Sequence, residues 1–62
     1  MNPPSDVVGK LVNFYGDFGV IVSCKYDKEV DCHLIRIKFI DKQFGLTFID
    51  ATWTSVIPFL MK

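Results

Sequence analysis

The sequence has no surplus of positive charge: seven Lys and Arg balance seven Asp and Glu over 62 residues, for a formal charge of zero. Proteins that hold nucleic acid by its backbone carry a basic excess that displaces phosphate counterions, so nucleic acid is not the favoured partner. Cysteine and histidine are scarce, with only Cys24, Cys32 and His33 present. Structural zinc takes four ligands, usually from close-spaced pairs. With no CxxC and a single His, no metal site is expected, and no cofactor. A glycine-rich phosphate loop and a GxSxG elbow are both missing. The carboxylates (Asp6, Asp17, Asp27, Glu29, Asp31, Asp41 and Asp50) fall mostly at turn signals, where Asp serves backbone hydrogen bonds. No pair of them is marked out as an acid/base couple. Cys32 and His33 adjoin, but consecutive strand residues point to opposite faces, which argues against a Cys–His nucleophile. The chain is therefore expected to bind rather than to catalyse.

Long apolar runs are also missing. No stretch approaches the roughly 20 residues of a membrane-crossing helix. Met1–Asp6 lacks the charged start and apolar middle of a secretory signal. The expected compartment is the cytoplasm (host cytoplasm or virion if the source is viral), where cysteines default to free thiols. Cys24 and Cys32 fall on adjacent expected strands, so a disulfide between them is geometrically conceivable.

What the chain does have is apolar and aromatic surface. Half of it is hydrophobic, and nine of its 62 residues are aromatic. One domain of this size has room for about a dozen fully buried side chains. The remainder must lie outside, and a contiguous exposed apolar patch marks an interface. A protein partner or self-association is the expected consequence.

Met1–Asp6, with two prolines, reads as an extended N-terminal arm, and residues 7–62 as one domain. Short β-rich runs then alternate with turn signals. Lys10–Tyr15 is the first run, ended by a loop at Gly16–Gly19, where the two glycines permit positive φ. Val20–Tyr26 is the second, and Asp27–Asp31 a solvated hairpin loop. In the third, Cys32–Ile40, Ile35, Ile37 and Phe39 alternate with Arg36 and Lys38, which puts the two bases on the wetter face. Asp41–Gln43 makes the next turn and Phe44–Ile49 the fourth run. Asp50–Trp53 reads as one helical turn capped by Asp50. Thr54–Phe59 reads as a last strand, at an edge or ending there because Pro58 cannot donate to a ladder. The expected fold is all-β: a five-stranded barrel with one short helical turn before the last strand.

Two stretches carry a resemblance. Gly9-Lys10-Leu11-Val12, continuing through Phe14-Tyr15-Gly16-Asp17-Phe18-Gly19 to Val20-Ile21-Val22, resembles the opening strand–loop–strand of SH3-like small barrels of the Tudor and KOW groups. Ile37-Lys38-Phe39-Ile40-Asp41 resembles the end of the third Tudor strand, and Trp53–Phe59 the closing turn and strand. The Tudor resemblance implies an aromatic cage for methylated Lys or Arg. The KOW resemblance implies contact with RNA or transcription proteins. Lys42 follows Asp41 where an aromatic residue stands in Tudor domains, and the basic KOW loop has no counterpart.

The candidate binding residues are Phe14, Tyr15 and Phe18, crowded in one turn, with Phe44 and Trp53 brought beside them by the barrel topology. They suit an aromatic anchor set for a protein, a cage for a cation, or plain core packing. Lys25, Arg36 and Lys38 form a candidate basic face. The leading expectation is a small non-catalytic protein–protein interaction module. Free-standing domains this short are common among phage and bacterial accessory proteins, so a phage accessory or virion component is the setting by analogy.

Overall fold

The computed structural model describes residues 2–41 and 45–61. The elements are β1 (Leu11–Phe14), β2 (Asp17–Asp27), β3 (Cys32–Asp41), β4 (Gly45–Thr52), α1 (Trp53–Val56) and a 3-10 turn (Ile57–Phe59). The strands form one antiparallel sheet in the order β1-β2-β3-β4. The chain is all-β in character, but the sheet is open and, among the described residues, has four strands rather than the expected five.

The first hairpin turns at Tyr15-Gly16, not across Gly16–Gly19. Phe14 pairs with Asp17, and Tyr15 and Gly16 both take positive φ, at 55° and 96°. Two central residues with φ above zero match the twist of the flanking strands. The amide of Gly16 donates to Asn13 Oδ1 at 2.8 Å, which supports the turn. Gly19 lies within β2 for a different reason. A Cβ there would stand 2.7 Å from Ile37 Cγ2 and 2.8 Å from the Phe39 ring, so glycine lets the β3 side chains fold down onto the β2 backbone.

The alternation read in β3 holds. Ile35 and Ile37 are fully buried, while Arg36 is exposed and Lys38 half-buried. The core joins them with Val7, Val12, Ile21, Trp53 and Val56, and Phe14, Cys24, Phe39, Ala51, Ile57 and Leu60 pack around it. The β2–β3 register slips between Ile21 and Ser23. Such a bulge bends the strand and raises its twist.

The C-terminal part differs most from expectation. Asp50 lies inside β4 opposite Arg36 and caps nothing. Thr52 holds the cap position of α1, without a side-chain bond to the backbone; its hydroxyl meets that of Ser55 at 2.8 Å instead. Thr54–Phe59 is helical, not a strand. Trp53 and Val56 sit one turn apart and are both buried, a spacing that puts them on one helix face. That burial outweighs the β preference of Val56 and Ile57. Pro58 stands in the first turn of the 3-10 segment, where its missing N–H costs no ladder bond. Beyond this helical segment an isolated bridge joins Val12 to Leu60, and the Met61 amide donates to Leu11 O at 2.9 Å.

Candidate functional site

The outward face of the sheet is built by the register. Leu11 pairs with Val20, Val20 with Lys38, and Lys38 with Phe48, making one row across all four strands. Leu11 is 52% exposed and Phe48 54%. Phe18, two residues before Val20 on the same face of β2, is 59% exposed. Lys38 is half-buried between Val20 and Phe48, a position in which a lysine lays its alkyl stem on apolar neighbours and keeps its ammonium wet. The result is an apolar band on the solvent side.

The next row along this face is polar: Ser23, Arg36 and Asp50. Arg36 Nε donates to Asp50 Oδ1 at 3.0 Å and Nη2 to Oδ2 at 3.3 Å. This two-pronged hydrogen bond lowers the Asp50 carboxyl from its ordinary value, with desolvation opposing it and the charge of Arg36 adding to it, and raises the guanidinium. Lys25, Arg36 and Lys38 do share the outward face, as read from the sequence. Arg36, however, is engaged by a carboxylate, and among the described residues Lys25 and Lys38 make no ion pair.

The aromatic candidates do not converge. Phe14 is half-buried, stacked on Phe59 at 4.4 Å between centroids and edge-on to Phe39 at 5.8 Å. Tyr15 leans on Phe59 at 5.3 Å yet is 90% exposed. Phe18 points to the apolar band. Trp53 is buried in the core, its indole N–H without a partner among the described residues. Phe44 lies outside the described residues. Phe39 and Phe59 were not among the sequence candidates. Phe59 was missed because a strand over Thr54–Phe59 carries it away from Phe14, whereas the helical path folds it back.

Trp53 instead borders a cleft of about 300 Å³ at the far end of the sheet, beside Tyr26, Asp31, His33 and Thr54. Tyr26 meets His33 edge-on at 5.3 Å, and its phenol donates to the Asp31 carboxylate, which raises the phenol's pKa. Both cysteines are free thiols. Cys24 faces Ile35 and Cys32 faces Asp27. Their ladder positions are three residues apart, about 10 Å at the usual rise, beyond the reach of a disulfide. Among the described residues no group of three or more His, Cys, Asp and Glu is arranged to hold a metal ion. No described helix is long and apolar enough to cross a membrane.

Compared with known proteins, the chain matches no family model, no curated protein and no solved structure.

Proposed function

We propose that this chain is a small non-catalytic protein–protein interaction module that assembles through its outward apolar and aromatic surface. The observation that carries this reading is the outward-facing group of Leu11, Phe18, Val20 and Phe48 on the side away from the core, with the stem of Lys38 between Val20 and Phe48. The exposed members of this group are more than half open to solvent. Single exposed apolar residues are ordinary, but a group gathered on one face is the mark of an interface. Tyr15 supports the same reading. A bulky residue at φ 55° carries backbone strain, and a side chain 90% exposed gains little from the fold in return.

The fold is read as an SH3-like barrel whose fifth strand has shrunk to the Val12–Leu60 bridge. The return of the C-terminus to β1 supports that reading. The Arg36–Asp50 pair weighs against a KOW-like nucleic-acid surface, because the guanidinium is already neutralised. The separation of Trp53 from Phe14 and Tyr15 weighs against the Tudor-like cage read from the sequence. A phage accessory protein or virion component remains the setting by analogy.

Light scattering from micromolar to millimolar protein, together with binding of an apolar dye, tests the proposal. The expected result is a mass that rises with concentration and dye binding that falls in a Phe18→Ser, Phe48→Ser variant. A constant monomer mass with no dye binding rejects it.

A further inference from the structure

The two margins of the sheet are finished differently. The outer margin of β1 receives Leu60 and Met61. β4 ends the strand order, and among the described residues no strand lies on its far side. In an antiparallel strand every second residue turns its N–H and C=O away from the paired neighbour, so β4 offers a row of such groups along Gly45–Thr52.

Edges left open in stable monomers are commonly guarded by lysine, proline, a bulge or brevity. β4 has none of these. It is eight residues long, contains no Lys, Arg or Pro, and pairs with β3 without a slip from Thr52–Leu34 to Gly45–Asp41. Its single charge, Asp50, is engaged by Arg36. Apolar side chains stay partly open on both of its faces: Phe48 outward, and Ile49 on the core side at 38% exposure. What fits such an edge is an extended strand that is itself apolar on both faces.

We infer that β4 pairs antiparallel with β4 of a second copy about a two-fold axis at Phe48, making one continuous sheet. The inference rests on the interaction-module reading and names its partner. A second copy supplies the required strand by construction, since a two-fold interface presents the same patch to itself. With the axis at Phe48, the two phenylalanines face each other and each Thr47 faces the other copy's Ile49. The two Asp50 carboxylates are kept from opposing one another. An axis at Asp50 would set like charges directly opposite, a destabilising pair. The row Leu11, Val20, Lys38 and Phe48 then continues into the second copy, with the two phenylalanines adjoining at the axis.

The test uses the full chain and three outward-facing substitutions, with circular dichroism to confirm folding. Phe48→Lys and Phe48→Glu should each be monomeric alone and should dimerise when mixed, because lysine then faces glutamate at the axis. Leu11→Lys, at the opposite end of the same row, should dimerise like the wild type. Equal loss of association in Leu11→Lys and Phe48→Lys would overturn the edge pairing and leave the interaction module standing, with its outward face as the contact. A wild type monomeric at every concentration would also overturn the edge pairing; only if it binds no apolar dye either does the module fall with it. Should the Phe48 variants fail to fold, the mass of the wild type and of Leu11→Lys still decides.

Discussion

The β1 and β4 margins of this sheet are equally placed in the strand order but differently made. β1 has four residues, follows a buried Val7, and is overlaid by the chain's own C-terminal segment. β4 has eight residues, an unbroken register and nothing of the described chain beyond it. Among the described residues, one margin is covered and the other is not. The chain uses the α1–3-10 segment to reach the first, and an apolar, unguarded strand stands at the other. Damage on the β1 side should therefore appear as lost stability, and damage on the β4 side as lost association.

The largest expected effect strikes what both margins share. Ile37 lies in β3 and is fully buried, so Ile37→Ala should cost about 2–5 kcal/mol, read as a lower urea midpoint. Gly19→Ala strikes β2 where it pairs with Val12 of β1, away from the β4 margin. The added methyl meets Ile37 and Phe39 inside normal contact distance, and overpacking of this kind costs about 1–3 kcal/mol. Thermal unfolding should show it, with association of the folded fraction unchanged. Phe48→Lys, on the β4 side, should move the stability of the monomer by only about 0.5 kcal/mol, as exposed substitutions do, while removing dimerisation. If Gly19→Ala and Phe48→Lys lower stability equally and neither alters association, the contrast between the margins is wrong.

The smallest effect concerns the polar row. The hydrogen bond from Arg36 sets the Asp50 carboxyl below its ordinary value. A carboxyl whose folded pKa is depressed contributes stability above its unfolded pKa and loses it as pH falls through the folded one. Asp50→Asn should thus be slightly less stable than the wild type at neutral pH, and the gap should close in acid. Both side chains are exposed, so the pair is screened and the gap should shrink with salt. A gap that widens in acid contradicts the assignment.

Much of the sheet was legible because β3 repeats with period two between Ile35 and Phe39, and because Asp27–Asp31 is too charged to be buried. Strand length was less legible: Asp17 and Phe18 belong to β2, since the turn is made by Tyr15-Gly16. Nothing in local preference places a tyrosine at positive φ. The C-terminal path was hidden for the opposite reason. Val56, Ile57 and Phe59 all favour strand, and only the joint burial of Trp53 and Val56 makes this segment helical. The same error concealed the Phe14–Phe59 stack and set Trp53 among aromatics it does not meet. The basic face was legible as a face, because period two separates Arg36 from Ile35. That Asp50 engages Arg36 follows from β3–β4 register, which no short stretch of sequence specifies.

The comparison between margins comes down to the backbone amides of β4. Residue-resolved hydrogen exchange, measured at low and high protein concentration, reads both margins in one experiment, with β1 as the internal reference. The account predicts that β1 protection is independent of concentration. Those β4 amides between Thr47 and Ala51 that point away from β3 should become protected as concentration rises. Rapid exchange of those amides at every concentration, in a sample whose mass shows association, would contradict it.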